Sequence, residues 1–206
     1  MLIKVCGLRE QENVAAVAAL DPQWMGFIFA SSSPRYFPDA KYAADISSIP
    51  RHIKRVGVFV NENPDNVIAM KDLNELDMVQ LHGDESPAIC QALQQQDIAV
   101  IKAFGVDEHF DFSQIAAYEP YVKLFLFDTR GAGHGGTGRH FNWGLLKGHH
   151  FNKPFFLSGG IGPDDVQLLK AFNHPDMIGV DVNSRFELEP GIKDVSELRS
   201  FIQQIH

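Results

Sequence analysis

Short apolar runs alternate with polar segments along the whole of the 206-residue chain. Apolar runs rich in β-branched and aromatic residues, bounded by turn residues, predict strands. We predict eight strands, at residues 2–6, 24–30, 54–60, 77–82, 98–104, 122–128, 153–158 and 177–182. Between them, apolar residues recur with a period near 3.6, which predicts helices over residues 12–20, 66–73, 87–95, 164–172 and 195–205.

This alternation predicts a parallel sheet whose strands are joined by crossover segments. A doubly wound open sheet would be natural with five or six strands, whereas eight strand–helix units in this length favour a closed barrel. No linker or change of composition interrupts the pattern, so we expect residues 1–206 to form a single-domain (β/α)8 barrel. In that fold, chemistry is concentrated where the strands end and the following loops begin.

Composition excludes several classes of partner. The net charge of −8 argues against a nucleic-acid binder or a polybasic membrane-surface protein, but it allows a small anionic substrate. No apolar run is long enough for a membrane span, and the N-terminus lacks the apolar core of a signal peptide, so we expect a cytoplasmic protein. The two cysteines and nine histidines show no metal-binding spacing, and we expect no metal site.

The last two predicted strands lead into the segments SGGIGP and DVNSRFE, which suggest a phosphate site. Gly159 and Gly160 would let the backbone approach an anion closely, and backbone amides near Asn183 and Ser184 could add to the site. Loops after strands 7 and 8 are the usual phosphate position in this fold. The alternative is that these glycines only shape tight turns.

Asp128 ends a strongly apolar strand, VKLFLFD. Alternation along this strand predicts that Val122, Leu124, Leu126 and Asp128 face the barrel interior. A carboxyl group at the mouth of an apolar barrel is favoured in its neutral form, as a general acid requires. The alternative is an aspartate that caps a helix or braces a loop.

Cys6 ends the first strand, two residues after Lys4 on the same face. A neighbouring ammonium would lower the pKa of the thiol and favour the thiolate, and Lys4 would itself need a carboxylate partner, for which Asp181 is the candidate. A buried cysteine that only packs is the alternative. Arg35, in SSSPR, is a candidate fork for a substrate carboxylate, or else a solvated loop arginine.

Several motifs together resemble the phosphoribosylanthranilate isomerase family. They appear in family order and cover nearly the whole chain: KVCGL (4–8), GFIFASSSPR (26–35), VGVFVN (56–61), QLHGDE (80–85), FDTRGAGHGGTG (127–138), LSGGIGPDDV (157–166), GVDVNSRFE (179–187) and PGIKD (190–194).

The resemblance implies a (β/α)8 barrel that needs no metal or organic cofactor. The family converts N-(5-phosphoribosyl)anthranilate to 1-(2-carboxyphenylamino)-1-deoxyribulose 5-phosphate, a step of tryptophan biosynthesis. It implies Asp128 as general acid, Cys6 as general base and Arg35 as the ligand of the anthranilate carboxylate. The further substrate-binding residues that it implies are Gln80, His82, Gly136, Gly159, Gly160, Asp181, Asn183 and Ser184. The expected partner is this small phosphosugar, and the expected state is a monomer or homodimer.

Three other functions remain as alternatives. The related aminoaldose isomerase of histidine synthesis would be expected to have an aspartate in place of Cys6, and indole-glycerol-phosphate synthase would be expected to have catalytic lysines and a longer N-terminus. A non-catalytic phosphosugar-binding barrel would not need both Cys6 and Asp128. Arg185 and Phe186 are bulkier than the residues of many relatives at these positions, which leaves the shape of the phosphate loop open.

Overall fold

Eight parallel strands close into a barrel in the computed structural model, which describes residues 1–37, 45–131 and 140–205. The strands are β1 (Leu2–Val5), β2 (Trp24–Ile28), β3 (Lys54–Phe59), β4 (Met78–Leu81), β5 (Val100–Val106), β6 (Leu124–Thr129), β7 (Phe155–Leu157) and β8 (Met177–Val182). Each strand pairs with the next along the chain, and β1 also pairs with β8, which closes the ring. The predicted single-domain (β/α)8 barrel is confirmed.

Five α-helices lie outside the barrel in the described residues: α1 (Gln11–Ala18), α2 (Pro64–Leu73), α3 (Pro87–Gln94), α4 (Val166–Ala171) and α5 (Val195–Ile205). They follow β1, β3, β4, β7 and β8, as predicted. The expectation of a helix after every strand is wrong for the described parts of the other three crossovers. These contain short 3-10 helices at Ile46–Ser48, Phe112–Ala117, Glu119–Tyr121 and Trp143–Leu146. None of the described helices is long and apolar enough to cross a membrane.

The apolar core has two layers. The inner layer fills the barrel and consists of Val56, Met78, Ile101, Ala103, Leu124, Leu126 and Phe156. The larger outer layer packs between the strands and the surrounding helices. Leu124 and Leu126 face inward as predicted, but Val122 belongs to the outer layer. The alternation does not extend to Val122 because β6 begins only at Leu124.

A small antiparallel hairpin follows β8 and was not predicted. Its strands are β9 (Glu187–Glu189) and β10 (Ile192–Lys193), and Gly191 turns between them with a φ of 90°. The side-chain amide of Asn13 in α1 holds the second strand, because it donates to the Lys193 carbonyl oxygen at 2.9 Å and accepts from the Lys193 amide at 2.8 Å. The hairpin is therefore fixed against the barrel.

Candidate active site

One cavity of about 430 Å³ lies at the C-terminal ends of the barrel strands. Every predicted site residue that the structure describes lines this cavity: Cys6, Arg35, Gln80, His82, Asp128, Gly159, Gly160, Asp181, Asn183 and Ser184. Gly136, the remaining predicted residue, lies outside the described residues. The fold thus brings together side chains that are up to 178 positions apart, between Cys6 and Ser184.

Cys6 follows β1 directly and lies beside a buried ion pair. The ammonium nitrogen of Lys4 is 2.9 Å from Asp181 Oδ1, and the register pairs these two residues across β1 and β8. Gly26 in β2 makes room for the group, because a Cβ at that position would lie 2.7 Å from Cys6 Sγ and 3.1 Å from Lys4 Nζ. The expected pairing of Lys4 with Asp181 is confirmed, and the thiol and the ammonium are neighbours.

Burial has the largest effect on the ionisation of Cys6. It raises the pKa of the thiol above its ordinary value, while the charge of Lys4 lowers the pKa by a smaller amount. Burial also disfavours the charged form of Lys4, but Asp181 and Cys6 outweigh it, so the pKa of Lys4 lies above its ordinary value of 10.5. The expectation of a net lowered thiol pKa is wrong, because the sequence reveals the nearby cation but not the loss of solvent.

A chain of hydrogen bonds fixes Asp128. His82 Nε2 is 3.1 Å from Asp128 Oδ2, and Gln80 Nε2 is 2.8 Å from His82 Nδ1. In this orientation the Gln80 amide donates to Nδ1, so neutral His82 carries its proton on Nε2 and donates it to Asp128. The Thr129 amide donates to Asp128 Oδ1 at 2.7 Å. Both carboxylate oxygens are therefore held, and the side chain is buried at the cavity wall.

The segment after β7 forms the neighbouring wall, directly beside Asp128. Gly159 and Gly160 have φ angles of 93° and 70°, a left-handed conformation that favours glycine. A Cβ at Gly159 would lie 2.2 Å from Thr129 Oγ1, so this position also has no space for a side chain. His140 Nε2 is 3.0 Å from the Gly160 carbonyl oxygen and 2.9 Å from Asp165 Oδ2. His140 thus holds the outer side of this segment.

Arg35 reaches the cavity from the segment after β2, but it is not a solvated arginine. Its Nε donates to Glu187 Oε1 at 2.8 Å, and its Nη2 donates to Glu187 Oε2 at 2.6 Å. Glu187 thus occupies one edge of the guanidinium group and leaves the Nη1 end uninvolved in this pair. An arginine held in this way could present a defined edge to a bound carboxylate.

Sequence reasoning missed Glu187 and Lys193, which lie behind Arg35. Lys193 Nζ donates to Glu187 Oε1 at 2.7 Å and to Asn183 Oδ1 at 2.6 Å, and Lys193 is almost wholly buried. Both residues occur in the quoted motifs, yet their side chains meet only because the unpredicted hairpin folds back. The sequence shows only that both are charged residues in the short segment before the last predicted helix.

The bulky residues of the segment after β8 do not occupy the cavity. Phe186 is fully buried and packs against Phe201 of α5, with ring centroids 4.9 Å apart. Arg185 is exposed and lies beside Gly162, where a Cβ would be 3.0 Å from its Nε. Neither side chain lines the cavity. In the described ranges, no cluster of three His, Cys, Asp or Glu side chains has the arrangement of a metal site.

Comparisons with known proteins agree on one family. The model of a family described as N-(5'-phosphoribosyl)anthranilate (PRA) isomerase matches residues 3–204. The N-(5'-phosphoribosyl)anthranilate isomerase of Parabacteroides distasonis is 45% identical over 208 residues, covering 100% of this chain and 93% of the relative. Among solved structures, the phosphoribosyl anthranilate isomerase of Thermotoga maritima aligns with a TM-score of 0.87 at 32% identity, covering 100% of this chain and 98% of that chain. Another structure of such an isomerase, in complex with reduced 1-(o-carboxyphenylamino)-1-deoxyribulose 5-phosphate, aligns with a TM-score of 0.84 at 30% identity and the same coverage.

Proposed function

The chain belongs to the N-(5'-phosphoribosyl)anthranilate isomerase family, and from that premise we propose that Cys6 is the general base and Asp128 the general acid of the reaction. The family activity is an isomerisation in tryptophan biosynthesis. The observation that carries the proposal is the shared cavity, which Cys6 and Asp128 line from β1 and β6. In the ring, β7 and β8 separate these strands on one side and β2–β5 on the other, so the two groups approach a ligand from different directions.

The reaction needs an acid first. The ribose ring of the substrate opens when its ring oxygen receives a proton, and a protonated Asp128 supplies it. Opening leaves a Schiff base at C1′, which acidifies the proton on C2′. Thr129 and His82 each donate to one oxygen of Asp128 and fix its orientation, and the transferable proton lies on a remaining lone pair that faces the cavity. A positioned proton donor of this kind contributes roughly 10²–10⁴ to a rate.

The base acts second. Cys6 as thiolate removes the C2′ proton, which gives an enolamine that tautomerises to the ketone of the product. Burial raises the pKa of this thiol, so the thiolate is a strong base once formed. The ammonium of Lys4 is the neighbouring cation that offsets its charge, and Asp181 keeps Lys4 in place. Protons exchanged with solvent return the acid and base to their starting forms.

The remaining residues bind the two ends of the substrate. We assign the phosphate to the backbone around Gly159, Gly160, Asn183 and Ser184, which line the cavity together. We assign the anthranilate carboxylate to the Nη1 end of Arg35. Gln80 lines the cavity and its buried Oε1 has no hydrogen-bond partner among the described residues, so we assign it to accept from a donor of the bound substrate once a turn of the amide exposes it.

The test is incubation of the protein with N-(5'-phosphoribosyl)anthranilate, with formation of the ribulose product followed over time. We expect turnover of this substrate to the ribulose product. Binding without turnover would instead support a non-catalytic phosphosugar-binding barrel. The proposal also includes a cytoplasmic enzyme that works as a monomer or homodimer without a metal or organic cofactor.

A further inference from the structure

We propose that Glu187 and Lys193 are positioning residues that hold Arg35 and Asn183 for the two ends of the substrate. This inference rests on the proposed function, which places the substrate carboxylate on Arg35 and its phosphate beside Asn183. No role was expected for either Glu187 or Lys193 from the sequence. Neither residue lines the cavity, so both would act through the side chains that they hold.

Glu187 is the acceptor for several donors. Its Oε1 accepts from Arg35 Nε at 2.8 Å, from Lys193 Nζ at 2.7 Å and from the Gly191 amide at 3.1 Å. Its Oε2 accepts from Arg35 Nη2 at 2.6 Å. The side chain is only 4% exposed. A carboxylate with this many charge-assisted bonds has one orientation, and it imposes one orientation on the guanidinium of Arg35.

Lys193 extends the same arrangement to the phosphate side. Its ammonium bonds Glu187 and Asn183 Oδ1 together, and the backbone beneath it is fixed by two hydrogen bonds to the Asn13 side chain. Lys193 therefore links Glu187, which holds Arg35 at the carboxylate end of the substrate, to Asn183 at the phosphate end. Lys193 donates to both Glu187 and Asn183, so rotation of either side chain would break its hydrogen bond to Lys193.

Gly7 shows how closely these parts approach each other. A Cβ at this position would lie 2.5 Å from Asn183 Oδ1 and 2.8 Å from Arg35 Cδ, so both side chains pack closely against Gly7. Gly7 directly follows Cys6, the proposed base. The buried pair thus sets the positions of Arg35 and Asn183 against the backbone next to the thiol. A long arginine side chain without such a partner would lose many rotamers on binding.

The experiment compares two ligands that differ only in the group that Arg35 recognises. The first is reduced 1-(o-carboxyphenylamino)-1-deoxyribulose 5-phosphate, and the second is the same compound without the ring carboxylate. Dissociation constants are measured by calorimetry for the wild type and for Glu187→Gln. The control is Asp77→Asn, because Asp77 also pairs with a buried arginine, Arg55, but at the opposite end of the barrel.

We expect the wild type and the Asp77→Asn control to bind the carboxylated ligand at least about tenfold more tightly than the ligand without the ring carboxylate. In Glu187→Gln, the glutamine amide faces donors of Arg35 and Lys193, so the guanidinium is no longer held. The preference for the carboxylated ligand should fall to about threefold or less, while the affinity for the other ligand changes by less than about threefold.

Two results would overturn the inference. An unchanged preference in Glu187→Gln would show that Arg35 does not depend on Glu187. An equal loss of affinity for both ligands would show a general structural role. If Glu187→Gln does not fold, Glu187→Asp is measured instead, since it keeps the charge but ends one methylene short of Arg35, and the same loss of preference is expected. Failure of the wild type to turn over N-(5'-phosphoribosyl)anthranilate would count against the proposed function, and it is read separately from these binding ratios.

Discussion

Replacing Asp128 with asparagine removes the proton that the proposed acid transfers but keeps the shape of the side chain. The Thr129 amide donates to Oδ1 at 2.7 Å, so the asparagine oxygen takes this place and its amide group faces His82 Nε2 across about the present 3.1 Å. With its proton on Nε2, His82 would then face the N–H of the asparagine amide, so two donors would meet without an acceptor. A buried donor left without an acceptor costs about 1–3 kcal/mol.

Gln80 can remove this conflict. Its Oε1 has no partner among the described residues, and a half-turn of the amide presents that oxygen to His82 Nδ1. The histidine proton then lies on Nδ1, and Nε2 accepts from the asparagine. We therefore expect Asp128→Asn to lose less than about 1 kcal/mol of unfolding free energy. Turnover should nevertheless fall by about 10²–10⁴, because no transferable proton remains.

The assay combines urea unfolding with the initial rate of ribulose product formation. Gln80→Met removes the oxygen that resolves the conflict. In a Gln80→Met background, Asp128→Asn should therefore lower the unfolding free energy by about 1–3 kcal/mol, the loss that the single variant avoids. Asp107→Asn is the control, since this carboxylate pairs with Arg130 at 3.0 Å at the same end of the barrel but does not line the cavity. Turnover of Asp128→Asn within about tenfold of the wild type, together with a large stability loss, would refute the reasoning and leave Asp128 as a loop brace.

Three further predictions concern the surroundings of the thiol. Gly26→Ala should destabilise the protein by about 1–3 kcal/mol in urea unfolding and reduce turnover, because the added Cβ would lie 2.7 Å from Cys6 Sγ; unchanged stability would contradict this packing. In a Cys90→Ala variant, the rate at which iodoacetamide alkylates Cys6 should reach half its maximum only above pH 9, because burial raises the pKa of this thiol above 9.0. A midpoint below pH 9 would show that the charge of Lys4 outweighs burial. Burial lowers the pKa of Lys193 to about 8 from its ordinary 10.5, so between these pH values the unfolded chain binds more protons and stability rises with pH. The unfolding free energy of the wild type minus that of Lys193→Met should therefore increase from pH 8 to pH 10, and a decrease would show that the pKa is not lowered.

The sequence was sufficient for the barrel because each strand is an apolar run with its own local signal. Such runs are needed where a parallel strand is covered on both faces. The last helix was predicted at its observed bounds, Val195–Ile205, since its apolar residues recur at helical spacing. The crossovers after β5 and β6 contain no such stripe in their described parts. Their 3-10 helices are set by local turns, such as the Asp111 side chain that accepts from the Ser113 amide.

The site could be predicted only as far as strand ends and motifs point to it. All described candidates line one cavity because the strands of a barrel end at the same rim. Two properties could not be read from the sequence, and both depend on tertiary packing. Burial reverses the expected direction of the Cys6 pKa, and the hairpin of β9 and β10 brings Glu187 onto Arg35. Neither desolvation nor a contact across 152 positions leaves a local pattern.

The central claim is that Cys6 is the base, and turnover by Cys6→Ser tests it most directly. Serine nearly preserves the volume of the side chain but replaces the thiol with a hydroxyl that is far harder to ionise than the thiol. The measurement is kcat for N-(5'-phosphoribosyl)anthranilate, taken on protein whose binding of the reduced product analogue has been verified by calorimetry. We predict analogue binding within about threefold of the wild type and a kcat lower by about 10²–10⁴. A kcat close to that of the wild type would contradict the claim and leave Cys6 as a packing residue.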